Sequence, residues 1–110
     1  MNIIHFLVQG SSEAPYHVTF QKEDKNLSAY CSCPAGENGQ YCKHRFNILG
    51  GITEGIVSNN LDQVHIVKSW LVGTDVEKAL LAVMDAEEKF ELAKLELSTS
   101  KKRLAKSFRD

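Results

Sequence analysis

Cys31, Cys33, Cys42 and His44 crowd into one short segment, and no other cysteine occurs in the chain. Their order is Cys-x-Cys, eight intervening residues, then Cys-x-His. Thiolate sulfur and imidazole nitrogen are the soft-to-borderline donors that Zn²⁺ takes in a tetrahedron, and four of them fill it with no open position. One structural Zn²⁺ held by these four residues is therefore expected. An odd number of cysteines leaves no complete intramolecular disulfide framework. The bland alternative is three reduced thiols around a loop with a coincidental histidine. Three thiolates on one Zn²⁺ would leave a charge of about −1, which Lys43, Arg45 and a helix N-terminus beside the ligands would offset.

A catalytic zinc keeps a water in the fourth position, which requires that the protein supply only three ligands. Here all four are present, and Glu37 is the only acid in the intervening loop that could serve as a general base. The sequence contains no phosphate-binding glycine loop, nucleophile elbow or paired catalytic acids. The expectation is a binding module rather than an enzyme, with no small-molecule substrate.

The elements that would position the ligands are short. Residues 2–9 read as a strand in which Ile4, Phe6 and Val8 alternate with polar or solvent-side partners. Gly10 to Pro15 is turn-like. Tyr16, Val18 and Phe20 alternate with His17, Thr19 and Gln21, a half-buried strand. Glu23 to Asn26 makes a hairpin connection, and Leu27 to Tyr30 returns as a third strand. Period-two alternation points Cys31 and Cys33 the same way. Residues 34–41, with a proline, two glycines and an asparagine, are expected to form a loop. Lys43 to Leu49 fits a short helix stopped by Gly50-Gly51. The fold class is α+β: a small three-stranded antiparallel sheet with a zinc site and a short helix, followed by a helical C-terminal region. A strand core this small needs a metal or another staple.

The segment from Cys31 through Pro34 and Lys43 to His44 resembles the SWIM zinc finger, whose pattern is Cys-x-Cys, a variable loop, then Cys-x-His. The Tyr16-x-Val18 strand and the glycine-containing loop are also similar, and the resemblance spans roughly residues 3–50. Nothing in it reaches the C-terminal half. SWIM modules occur in transposases, chromatin-remodelling ATPases, recombination factors and ubiquitin-ligase-like proteins, so the resemblance implies binding of DNA or of protein. His5, His17 and His65 are expected at the surface rather than as ligands.

Two domains are expected, a finger over 1–55 and a helical region over 56–110. Leu61 to Leu71 suits a helix better than a strand, Gly73 stops it, and Thr74 with Glu77 forms a capping box for the next element. There Val76, Val83, Phe90, Leu97 and Leu104 recur every seven residues. Ala79, Ala86, Ala93, Ser100 and Ser107 follow three places after each. This is a heptad seam with large residues at one position and small ones at the other, running from Asp75 to Arg109 with a weak point at Ser98-Thr99-Ser100. It calls for a partner: a second copy, another protein, or the preceding helix. A merely amphipathic surface helix is the simpler alternative.

Charge is uneven although the net is −1. Residues 62–97 carry eight acids and four lysines, a net of −4, whereas residues 98–110 carry five bases and one acid, a net of +4. The basic end either complements its own helix dipole or meets an acidic or phosphate partner. If DNA is the partner, Lys43, Arg45, Lys101, Lys102, Arg103 and Lys106 are the candidate phosphate contacts. Against it, residues 1–60 hold five acids and four bases. A protein-assembly role is preferred, and a DNA-binding accessory protein of recombination, transposition or repair is the alternative. With no signal peptide and no membrane-length apolar run, a cytoplasmic setting with reduced cysteines is expected.

Overall fold

A computed structural model describes residues 2–108; Met1, Arg109 and Asp110 lie outside the described residues. The chain is α+β and divides into two compact units, one ending at Glu77 and one beginning at Lys78.

In the first unit, β1 (Asn2–Val8), β2 (Tyr16–Glu23) and β3 (Asn26–Cys31) form an antiparallel sheet in the order β1-β2-β3. Phe6 stands opposite Val18 and Ile4 opposite Phe20, so the alternation of both strands lands on one face. Ile4, Phe6, Val8, Val18 and Phe20 are all buried, and the rings of Phe6 and Phe20 meet edge-on with centroids 6.1 Å apart. The hairpin between β2 and β3 turns at Asp24, whose φ of 53° lies in the left-handed region that aspartate tolerates better than most residues.

The expected loop over residues 34–41 begins instead as a single helical turn, α1 (Pro34–Glu37). Pro34 stands at its first position, where its fixed φ suits a helix and its missing N–H is no loss. Next, α2 (Lys43–Leu49) buries Ile48 and Leu49. The chain then crosses a 3₁₀ turn at Leu61–Gln63 into α3 (Val64–Leu71), which contributes Val64 and Val67 to the same core.

The segment between α2 and α3, left without a role in the sequence reading, caps the free edge of β1. Gln9 N–H donates to the Gly55 carbonyl and Val57 N–H to the Leu7 carbonyl, both at 2.8 Å. Leu7 N–H reaches Ser58 Oγ at 3.1 Å, and Asn60 Nδ2 reaches the His5 carbonyl at 2.8 Å. An open strand edge would otherwise offer these groups to another chain.

The final helix, α4, spans Asp75–Ser107 without interruption. Ser98, Thr99 and Ser100 do not break it, being flanked by the strong helix formers Glu96, Leu97, Lys101 and Lys102. Thr74 caps it, its Oγ1 accepting from Glu77 N–H at 3.3 Å. Glu77 answers one residue earlier than a standard capping box, accepting from Gly73 N–H at 3.1 Å, because Thr74 N–H is already engaged by the Leu71 carbonyl. From Lys78 onward α4 constitutes the second unit, and its residues from Leu81 to Phe108 are exposed. No helix among the described residues is long and apolar enough to cross a membrane.

Candidate metal centre

The first two sulfurs come from the end of β3. Leu27 and Ala29 pack against the core and Cys31 is fully buried, whereas Tyr30 between them is half exposed. Cys33 lies beyond the strand but keeps an extended backbone, with φ −66° and ψ 158°. Strand alternation therefore continues for two more residues and turns both thiols inward. Cys33 is also the N-cap of α1, its Sγ accepting from Gly36 N–H at 3.3 Å, and Cys33 N–H in turn approaches Cys31 Sγ at 3.5 Å.

Close approach of α1 to the strand end depends on Gly36. A Cβ there would overlap the Cys31 carbonyl oxygen and lie 2.8 Å from Cys31 Cβ. After this turn the chain reverses through Gly39, which has a positive φ of 70°. Tyr41 stacks on Phe46 with centroids 4.9 Å apart, and Cys42 and His44 follow at the start of α2.

The four donors converge. Their ligand atoms all lie within 4.8 Å of one another, with Cys31, Cys33 and Cys42 buried and His44 half-buried. Cys33 Sγ is 3.4 Å from Cys42 Sγ, and His44 Nδ1 is 3.7 Å from Cys31 Sγ and 3.6 Å from Cys42 Sγ. Zn–S bonds of about 2.3 Å and Zn–N bonds of about 2.0–2.1 Å imply tetrahedron edges of about 3.5–3.8 Å, so the cluster has the size and donor chemistry to hold zinc. No reorganisation larger than a few tenths of an ångström along these three edges is needed.

Electrostatics divides the thiols. Burial pushes the Cys31 thiol up to about 12. Burial also acts to raise Cys42, but the backbone N–H of Arg45 and the neighbouring Cys33 thiol outweigh it and bring Cys42 below its ordinary value. His44 is shifted down by burial and by the charge of Lys43, which favours the neutral ring that a metal requires.

Lys43 is exposed between the last two ligands, whereas Arg45 is committed within the finger. Its Nη2 donates to the Gln40 carbonyl at 2.7 Å and its Nη1 to the Ala29 carbonyl at 3.3 Å. These bonds tie α2 to the preceding loop and to β3. Lys101, Lys102, Arg103 and Lys106 are exposed on α4 in the second unit. Of the seam residues, Val76 is half-buried against the core of the first unit, while Val83, Phe90, Leu97 and Leu104 are open to solvent.

Two neighbours of His44 were not placed beside it from sequence. The Tyr16 ring lies 5.2 Å from the imidazole, and Gly10 passes so close that a Cβ there would meet the Tyr16 ring at 2.5 Å. Tyr16 reads as an alternating strand residue and as part of the SWIM-like strand, neither of which puts it against the histidine, and a lone glycine in a turn carries no further signal. His5, His17 and His65 are exposed, as expected. His5 Nε2 and His17 Nδ1 approach to 3.0 Å on the outer face of the sheet.

A three-stranded sheet whose last strand and following helix converge four Cys and His donors defines a small metal-binding finger. The family model of the SWIM zinc finger matches residues 16–45, from the first residue of β2 through all four donors to Arg45. The chain thus carries a SWIM zinc finger in that segment, narrower than the 3–50 span of the sequence resemblance and without β1. Neither the curated proteins nor the solved structures yield a match to the chain.

Proposed function

We propose that the protein is a structural, non-enzymatic zinc module that assembles with protein through its C-terminal helix. The zinc half of this reading rests on the closed Cys₃His donor set, which leaves no protein-free position for substrate or water. The assembly half is carried by one observation: Phe90, Leu97 and Leu104 stand at heptad spacing on α4 and are 62%, 55% and 61% exposed. Side chains of this size repeated on one stripe of a helix mark a surface that is meant to be covered. The cysteines suit a reducing, intracellular setting.

Native mass spectrometry of the purified chain tests both halves together. One zinc per chain and a mass above that of the monomer are expected. A folded, metal-free protein would refute the first half.

DNA binding is a second reading, favoured by the exposed Lys101, Lys102, Arg103 and Lys106 and by the net +4 of residues 98–110. Arg45 supports it less than its sequence position suggests, since both terminal nitrogens already bind carbonyls. Titration with duplex and single-stranded DNA at two salt concentrations decides this reading. Phosphate contacts release counterions, so a binder would weaken steeply with salt. Absence of salt-sensitive binding at micromolar protein would exclude it.

A further inference from the structure

From the charge and size pattern of α4 we infer that its partner is a second copy of the chain, paired antiparallel in a single register. The inference rests on the assembly role proposed above and specifies the occupant of the seam. With Val83, Phe90, Leu97 and Leu104 at the first heptad position and Ala79, Ala86, Ala93 and Ser100 at the fourth, an antiparallel pair can be centred between Glu91 and Leu92. Every large residue then meets a small one: Phe90 faces Ala93 of the second copy, Leu97 faces Ala86, Val83 faces Ser100 and Leu104 faces Ala79. Layers of equal thickness let the two helices stay close along their length. A parallel pair would instead stack Phe90 on Phe90 and Ala93 on Ala93, alternating wide and narrow layers.

The flanking charges select the same arrangement. In this register Lys89 of one helix lies beside Glu96 of the other, and Glu87 beside Lys94, each pairing occurring twice by symmetry. All four pairs are attractive, and no like charges meet at the flanking positions. A shift of one heptad in one direction brings Lys89 against Lys89 and Glu87 against Glu87. A shift in the other brings Glu96 against Glu96, Lys94 against Lys94 and Lys89 against Arg103. The parallel alignment sets Lys89 against Lys94 twice and Glu96 against Lys101 twice, so that repulsion and attraction offset each other there, against four attractive pairs in the antiparallel register. Flanking charges of this kind choose partner and orientation in paired helices. Lys89 and Lys94 have partners within α4, Asp85 at 3.0 Å and Glu91 at 3.6 Å, but these are exposed pairs of small worth and yield at little cost.

Sedimentation equilibrium of the zinc-loaded full chain at low salt tests the inference with Lys89→Glu, Lys89→Glu/Glu96→Lys and Leu97→Lys. The wild type is expected to form a dimer. Lys89→Glu should weaken it about tenfold by creating two Glu–Glu contacts, and adding Glu96→Lys in the same chain should restore it. Leu97→Lys should abolish it. A dimer that Lys89→Glu tightens is either parallel or antiparallel in the shifted register, since that substitution relieves the Lys89–Lys94 clash of the one and the Lys89–Arg103 clash of the other, and either overturns the inference. A dimer indifferent to Lys89→Glu overturns the register, and a monomer overturns self-pairing; both outcomes leave assembly with a different protein standing. A dimer indifferent to Leu97→Lys overturns the inference and the assembly role of α4 together.

Discussion

Cys33 Sγ and Cys42 Sγ lie 3.4 Å apart, one at the cap of α1 and the other immediately before α2. Joining these two elements is what the metal would do mechanically. Three of the twelve buried apolar residues of the first unit are the cysteines themselves. In such sites the energy of metal binding is folding energy. Cys33→Ser should therefore drop bound zinc from about one per chain to near none and remove the strand signal, while α4 retains its helical signal. Metal analysis together with circular dichroism checks this. A Cys33→Ser protein that keeps both zinc and strand structure would exclude the proposed ligand set.

The state of the donors gives the pH dependence a definite direction. Cys31 is held as a thiol up to about 12, so metal uptake at neutral pH must displace its proton. Zinc affinity, measured by competition with a chelator, should thus rise at least about tenfold per pH unit near neutrality. In the metal-free finger the raised Cys31 value works the other way. Its stabilising contribution is present below the ordinary thiol value of 9.0 and is lost as pH rises toward 12. His44, shifted down, contributes stability above its ordinary value of 6.5 and loses it as the pH falls below that. An affinity that is flat with pH would mean that Cys31 is already a thiolate.

Arg45 and Lys43 flank the same ligand but should behave differently on substitution. Arg45 bridges the Gln40 and Ala29 carbonyls, and its Nε is buried without a hydrogen-bond partner among the described residues. Arg45→Ala should cost about 1–2 kcal/mol in thermal or denaturant unfolding. Arg45→Lys should rescue little, since a single ammonium group cannot span both carbonyls in the same geometry. Lys43→Ala should stay within about 0.5 kcal/mol of the wild type, as expected for an exposed side chain. Equal effects at the two positions would remove the structural role assigned to Arg45.

The donor cluster and the strand pattern were legible in the sequence because both depend on local spacing. Alternation from Tyr16 to Phe20 sets the buried face, and Cys31 and Cys33 continue the same period. What stayed hidden depends on contacts between distant segments. Val57 bonding to Leu7 and Asn60 to the His5 carbonyl make an edge cap that no local pattern announces. Arg45 reads as an available charge until Ala29 and Gln40 are seen to occupy it. The helical turn at Pro34–Glu37 was missed because Pro, Gly and Asn together imitate a plain loop, although Pro at a first helical position is also a start signal.

Gly36 and Gly39 sit in the same connection for different reasons, and substitution separates them. At Gly39 the positive φ of 70° strains any other residue, but a Cβ would meet nothing within 4 Å. Gly39→Ala should cost about 1–2 kcal/mol, the strain of a left-handed conformation, and leave zinc bound. At Gly36 an added Cβ strikes the carbonyl oxygen and Cβ of Cys31, backbone and ligand stem rather than a flexible side-chain tip. The strand end or α1 must move, and either movement shifts a ligand: Cys31 directly, or Cys33 through its Sγ bond to Gly36 N–H. Gly36→Ala should thus destabilise by about 1–3 kcal/mol and weaken zinc affinity as well. Paired unfolding and chelator-competition measurements distinguish the two positions. A Gly36→Ala protein with undiminished zinc affinity would show that α1 can retreat from β3 without carrying the ligands with it.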